Sequence, residues 1–571
     1  MAGGPRTGHA AGLPTRPPSG TWRRQQARAW EASIESLILA VALFWTLAAN
    51  TGFLSGALRG RSTGEAATWA FALALGVGVF AVHALLLSLL VFRRGGRWVL
   101  TLLLIVAAVA SYYTQAYGVY LDPSMMRNVL RTDPLEAREL LGWGLLLQLL
   151  LYAALPAALL WRLPLTPRPW RQALAWRLGL LLGSLLLLVV AVMLVFQPLS
   201  SLMRNQKELR YLLTPANVLW SGAAVLHDDL RGAARPREAI GLDAAPGPSW
   251  AQRTRPMVVL LVVGETARAA NWGLSGYARQ TTPGLAQWPV INFGEVQACG
   301  TNTEVSLPCM FAPVGRRDYD ESRIRGQESL LHVVQRAGAA VHWRDNQSGC
   351  KGVCEGLPAE TVSASSAPGL CNGGRCLDEA LVHDLDQRLA AAKGTQLWVL
   401  HLLGSHGPAY FQRYPAAFAR FQPACQNEEL HKCTPQQIVN AYDNSLLYTD
   451  HVLVTALTKL RAAQDRVDSA MIYVSDHGES LGEKGLFLHG IPYAIAPSEQ
   501  QRVPMVMWAS AGLEAAAGLR PGCLNPQLQT QAQRAVSHDH LFHTVLGLLD
   551  VRTALHEPTL DMTQPCRPPA P

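Results

Sequence analysis

Five apolar runs crowd the first third of the chain, near residues 34–54, 68–92, 98–117, 140–161 and 178–196, and none as long follows. Each approaches the roughly 20 residues an α-helix needs to cross a hydrocarbon core. Such a chain folds as two unlike bodies, the first solvated by lipid and the second by water. The fourth run contains Pro156, which neighbouring helices can accommodate. Arg23, Arg24 and Arg28 precede the first run, and Arg93, Arg94 and Arg97 follow the second. Arg162, Arg168, Arg171 and Arg177 follow the fourth. Basic residues stay on the cytoplasmic side, so the N-terminus and the even-numbered turns face the cytoplasm. An odd number of spans then delivers the C-terminal part to the far side. Trp69, Trp98, Trp143, Trp161 and Trp176 stand near the run ends, where an interfacial belt belongs. His83, inside the second run, reads as hydrogen-bonded packing.

Cysteine usage gives the same sidedness independently. All ten cysteines lie at or after Cys299: Cys299, Cys309, Cys350, Cys354, Cys371, Cys376, Cys425, Cys433, Cys523 and Cys566. An even number confined to one domain, with no C-x-x-C pair, indicates disulfides in an oxidising compartment, their connectivity open. The net charge of +8 raises the question of nucleic acid. The Lys and Arg residues form no long basic run, however, and much of the excess flanks the apolar runs, so nucleic acid is not an expected partner.

Beyond residue 256 the pattern changes. Met257–Val263, Leu397–Leu403 and Ala470–Val474 are short apolar runs ending in polar residues. Helical patterns over Ser329–Ala337, Leu377–Ala392 and Gln436–Leu460 lie among them. Strands alternating with helices predict an α/β domain with a largely parallel sheet. In such sheets the chemistry gathers at the carboxyl ends of the strands. Those ends carry Glu265, then His406 in Gly404-Ser405-His406-Gly407, and Asp476-His477. Carboxylates and imidazoles together suit Zn²⁺. A second constellation is the stretch from Cys299 to Cys309, whose cysteines bracket Thr301, Thr303 and Ser306. A bound metal can turn a hydroxyl into a nucleophile, but the residues alone do not choose among these three.

Four stretches carry a family resemblance: Val263 to Arg268, Cys299 to Phe311, Gly404 to Tyr410 with Arg413-Tyr414-Pro415, and Ser475 to His489. They resemble the lipid A phosphoethanolamine transferases, a family that includes the mobile colistin-resistance enzymes. The resemblance implies a multi-pass α-helical membrane domain followed by an α/β alkaline-phosphatase- or sulfatase-like periplasmic domain, in the inner membrane of a Gram-negative cell. Residues 1–31, rich in Arg, Pro and Gly, read as a disordered cytoplasmic N-terminus, and the five runs make 32–197 a five-helix transmembrane domain. Residues 198–255 become a connector with a surface helix near 217–230 and a linker at 243–256, and 256–571 the catalytic domain.

The same resemblance implies Zn²⁺ held by Glu265, Thr303, Asp476 and His477, with Thr303 as nucleophile. One ion is expected to bind tightly, and a second is allowed for. His406 and His489 match residues that contact the phosphoryl group or a second zinc, and Lys351 matches a substrate-contacting lysine. Asn128, Thr132 and Glu136 match contacts to the donor headgroup. Their four-residue spacing would align them on one helix face, whereas Asp133-Pro134 resembles a helix start that would break it. The implied reaction has two displacements. Thr303 takes phosphoethanolamine from phosphatidylethanolamine, and a lipid A phosphate then takes it from the phosphothreonine. A monomer is expected. The alternatives are another acceptor, such as a core sugar or a periplasmic glucan, and a non-catalytic membrane sensor. A sulfatase would carry a C/S-x-P-x-R signature, which the Cys299–Cys309 stretch lacks.

Overall fold

The computed structural model describes Gly3 and residues 32–233, 236–372 and 374–568. The expectation for residues 1–31 therefore falls, Gly3 apart, outside the described residues.

The first expected span is bent. Helices α1 (Ile34–Ala49) and α2 (Thr51–Leu58) meet at 55°. The cause is Asn50, fully buried at the corner, whose Nδ2 donates to Trp45 O (2.9 Å) and Thr214 O (2.8 Å). Its Oδ1 accepts from Thr214 N at 2.9 Å. One amide thus takes up backbone groups that a break inside a membrane would strand. The turn before it, Trp45–Ala49, is a π-helix, a common signature of such a distortion. Four more helices are each long and apolar enough to cross a membrane: α3 (Ala66–Leu90), α4 (Gly96–Tyr117), α7 (Trp143–Arg162) and α8 (Trp170–Leu194). The spans number five if the bent pair counts as one. His83 packs as expected: it is fully buried, its Nδ1 lies 2.9 Å from Val79 O, and its ring meets Trp45 edge-on.

Between α4 and α7 lie two short helices, α5 (Pro123–Leu130) and α6 (Pro134–Glu139). Each begins with an aspartate cap and a proline: Asp122 accepts from Met125 N, and Asp133 from Leu135 N. The helix is thus broken at residues 131–133, so Asn128, Thr132 and Glu136 do not share one face. After α8 come α9 (Phe196–Asn205) and α10 (Ala216–Ala233), the latter packing Val218 against Leu121 and Met125. The stretch 243–256 is built into the following domain. Ala245–Pro246 pairs with Val551–Arg552, and the Trp250 indole donates to Leu549 O at 2.6 Å.

The second body is a seven-stranded sheet in the order β2-β7-β6-β1-β5-β3-β4. The strands are β1 (Met257–Gly264), β2 (Ile291–Asn292), β3 (Ala340–Asp345), β4 (Ala359–Thr361), β5 (Thr395–His401), β6 (Asp468–Ser475) and β7 (Met505–Ala509). Strands β6, β1, β5, β3 and β4 run parallel, and β7 and β2 join antiparallel at one edge. Every residue of β1 is buried, because helices cover both faces. Val259, Leu261 and Val263 pack on the face holding α11 (Thr303–Met310), α13 (Leu330–Arg336) and α16 (Asp539–Leu549). Val258, Leu260 and Val262 pack on the other, against α14 (Leu385–Ala391) and α15 (Pro435–Ala462). A further short helix, α12 (Glu321–Gly326), follows α11.

All ten cysteines are paired, four bonds joining near neighbours in sequence, 299–309, 350–354, 371–376 and 425–433, and the fifth joining 523 to 566.

Candidate active site

Adjacent parallel strands β1 and β6 end side by side, Gly264 opposite Ser475, so the residues that follow them, Glu265 and Asp476-His477, emerge together. The chain must turn sharply there. Thr266 adopts φ 55°, uncommon for a residue with a side chain, and its N–H points at Asp476 Oδ1 (3.3 Å). Gly404, at φ 56°, passes so close that a Cβ would lie 2.5 Å from Glu265 O. Only glycine fits that approach, and the next residue, Ser405, donates its N–H to the same carbonyl at 3.0 Å.

Glu265, Asp476 and His477 are fully buried, and their ligand atoms lie within 4.8 Å of one another. His477 Nδ1 sits 2.9 Å from Gly478 O, so that nitrogen carries the proton and Nε2 presents its lone pair to the cluster. Nε2 is 3.3 Å from Glu265 Oε1 and 3.4 Å from Asp476 Oδ2. Asp476 Oδ2 is buried without a hydrogen-bond partner among the described residues. Burial, then the negative charge of Glu265, push the Asp476 carboxyl up. Two crowded buried carboxylates, an imidazole lone pair and an orphaned oxygen are a donor set that fits zinc.

Thr303 completes the cluster. Asn302 caps α11 through Oδ1, which accepts from Val305 N at 3.0 Å. That sets Thr303 at the first helical position, where developing negative charge is favoured. Its Oγ1 lies 3.1 Å from Glu265 Oε2 and 3.4 Å from His477 Nε2. The other two hydroxyls are engaged elsewhere: Thr301 Oγ1 donates to Ile491 O (2.7 Å), and Ser306 Oγ to Asp476 O.

The rings of His406 and His489 lie 5.4 Å apart, centre to centre, and the His489 ring is 4.4 Å from that of His477. His489 Nδ1 is held by Glu479 at 2.8 Å, and Tyr410 OH donates to the other oxygen at 2.7 Å. His406 meets a residue of the first body: its Nε2 is 3.1 Å from Glu136 Oε1, on α6. Burial works against charge on His406, but Glu136 outweighs it and holds the imidazole up at about 9. One turn further along α6, Glu139 binds the guanidinium of Arg413, both side chains nearly inaccessible, and also Arg375 (2.8 Å). Arg413 Nε in turn donates to His406 O at 2.7 Å. The membrane body thus supplies part of the wall. Thr132 Oγ1 donates to Asn128 O (2.8 Å), so of the three headgroup candidates Glu136 alone touches the histidines. Lys351 contacts Glu304 (3.4 Å) and Ser348 (2.6 Å), beside Thr303 in the Cys299–Cys309 loop.

Two further histidines were not singled out from sequence. His401 ends β5, with Nδ1 2.8 Å from Asp345 and Nε2 4.0 Å from Glu265. His538, kept neutral by burial with its pKa lowered to about 3, accepts from Cys299 N (3.0 Å) and donates to Ser475 O (3.0 Å). It ties the Cys299–Cys309 loop to the strand that leads into Asp476. Their signal in sequence was slight: His401 sits inside the apolar run Leu397–Leu403, and only the folded strand, ending at His401, sets it beside the site.

A buried carboxylate–imidazole cluster with a helix-borne hydroxyl, at the carboxyl ends of a central parallel sheet, defines a sulfatase-like enzyme. The sulfatase family profile matches residues 257–551. A profile described as phosphoethanolamine transferase EptA/EptB matches residues 79–230. Phosphoethanolamine transferase EptA of Escherichia coli K12 is 38% identical over 534 residues, covering 93% of this chain and 96% of that protein. Phosphatidylethanolamine transferase Mcr-1 of Escherichia coli is 36% identical over 526 residues, covering 90% and 94%. The solved lipooligosaccharide phosphoethanolamine transferase A of Neisseria meningitidis superposes with a TM-score of 0.89 at 36% identity, over 95% of this chain and 100% of that one. The chain belongs to the phosphoethanolamine transferase family and is a membrane enzyme of that kind.

Proposed function

We propose that the protein moves phosphoethanolamine from phosphatidylethanolamine to a phosphate of lipid A, as a monomer of the Gram-negative inner membrane with its catalytic domain in the periplasm. The observation that carries the reading is Thr303, the one hydroxyl of its loop that faces the Glu265–Asp476–His477 cluster. Glu265, Asp476, His477 and Thr303 would hold Zn²⁺, whose charge favours the alkoxide form of the threonine.

Thr303 Oγ1 bonds to the donor's phosphorus as the bond from phosphorus to the diacylglycerol oxygen breaks, and that oxygen gains a proton. A lipid A phosphate oxygen then attacks the same phosphorus and frees Thr303. His406 and His489, beside His477, would stabilise the phosphoryl oxygens or pass the proton. Glu136, brought in by the membrane body, is anionic beside them and suits the ammonium of the donor headgroup. Asn128, Thr132 and Lys351 are assigned to substrate contact on the family resemblance. Donor and acceptor accord with the names of the relatives, one a phosphatidylethanolamine transferase and another a lipooligosaccharide phosphoethanolamine transferase.

Adding phosphoethanolamine to a lipid A phosphate makes a diphosphate whose new ammonium offsets part of its negative charge, so cationic polymyxins bind it less, in a salt-screened manner. Expression in a susceptible host should add one phosphoethanolamine mass to lipid A and raise polymyxin tolerance. Mass spectrometry that finds lipid A unchanged, with a core sugar or glucan modified instead, would replace the acceptor and leave the chemistry standing.

A further inference from the structure

The membrane body holds a second concave site, at the end remote from Thr303. It is a cavity of about 400 Å³, and Glu35, Phe92, Arg93, Arg168, Trp170 and Arg177 are among its lining residues. Helix α4 measures the separation. Gly96, at its start, lies against Ile34 of the cavity wall, and Gly118, just past its end, lies against Leu486 of the catalytic domain. At 1.5 Å per residue, the 22 residues of α4 put about 33 Å between the two. The cavity therefore opens in the opposite leaflet from the reaction.

Its chemistry is specific. Arg168 is neutralised by Glu35 (Nη1–Oε2 2.6 Å) and stacks on Trp176 at 4.9 Å. Arg177 is held in place by donating Nη2 to Val91 O and by lying 5.3 Å from the Phe92 ring. Its Nη1 is nonetheless buried with no partner among the described residues. Arg93 is exposed beside it. Three arginines against one glutamate leave two positive charges above an apolar floor that includes Leu165 and Leu174. A buried guanidinium nitrogen without an acceptor is costly, and an anion seated between Arg93 and Arg177 supplies one.

We propose that this cavity binds an anionic glycerophospholipid of the cytoplasmic leaflet, its phosphate between Arg93 and Arg177 and an acyl chain along the floor. Basic pockets between helices at the cytoplasmic interface recognise such headgroups. The chain's own residues 1–31 are the wrong occupant, since they carry five arginines against the single Glu31. The site is separate from that of the zwitterionic donor.

The test uses the full chain, purified in detergent and delipidated. Native mass spectrometry would follow its retention of phosphatidylglycerol against phosphatidylcholine offered in equal amounts. Phosphatidylglycerol should be retained selectively, at about one per chain. Arg93→Gln should weaken that retention about fivefold. Arg93 is exposed and makes no hydrogen bond or ion pair to any described residue, so this variant folds. Arg93→Gln with Arg177→Gln should abolish the selectivity, while Arg171→Gln, outside the cavity but at the same membrane face, should not alter it. Equal retention of the two lipids would overturn the proposal, as would equal losses in the Arg93 and Arg171 variants. Full displacement by inorganic phosphate would reduce the site to a phosphate pocket and overturn the lipid.

Discussion

At the scale of single residues, the loop between Cys299 and Cys309 shows what spacing can and cannot decide. Three hydroxyls lie within six residues, and sequence leaves them equivalent until the family resemblance selects Thr303. Packing distinguishes them, since Thr301 and Ser306 spend their protons on Ile491 O and Asp476 O. Thr303→Ala should therefore abolish transfer at unchanged expression and membrane insertion. Thr301→Ala should retain transfer while losing a buried hydrogen bond worth about 1 kcal/mol, which thermal melting would detect. The reverse result in a transfer assay would move the nucleophile to Thr301. Metal binding is testable in the same way. Asp476→Ala or His477→Ala should deplete zinc in the purified protein, measured by elemental analysis, far more than Lys351→Ala, because Lys351 turns to Glu304.

At the scale of elements, the strands were legible because a buried parallel sheet needs unbroken apolar runs, and β1, β5 and β6 have them. Their ends announced Glu265 and Asp476-His477. What surrounds those residues was not legible. His538 reaches Cys299 across 239 positions, and Arg413 reaches Glu139 across 274; no local period encodes either. The break between α5 and α6 was readable from Asp133-Pro134, but its purpose was not. It turns α6 so that Glu136 and Glu139 enter the second body. His406 is held at about 9 there, above its ordinary 6.5. A base raised in the fold lends stability that is complete below about pH 6.5 and is lost as pH rises through about 9. The melting temperature of the full chain should fall between pH 7 and pH 10. In Glu136→Gln that fall should shrink, and an identical pH profile in the variant would exclude the pair as its source.

At the scale of the whole molecule, two sequence signals agree on which side of the membrane each body lies. Arginines cluster at the turns of the first body, and cysteines are confined to the second. The bend in the first span was not legible because Asn50 looks like one tolerated polar residue, whereas it exchanges hydrogen bonds with Thr214, far along the chain. The five disulfides all close short loops, the longest spanning 43 positions. Each contributes about 2–4 kcal/mol. Protein matured in an oxidising compartment should leave all ten cysteines blocked to thiol reagents. Protein retained in the cytoplasm should react with them and be cleaved faster by proteases. Freely reactive thiols in the mature form would refute the assigned side.

The contact between α6 and the catalytic domain bears on how inhibitors of this enzyme are found. Glu136 pairs with His406, and Glu139 with Arg375 and Arg413, from outside the soluble domain. A screen run on that domain cut free of its membrane half presents Arg375 and Arg413 without their carboxylate partner, and His406 without Glu136. Acidic compounds would rank high in such a screen and lose their grip on the whole chain, where two carboxylates already hold the same places. Compounds carrying an amine would be ranked the other way round.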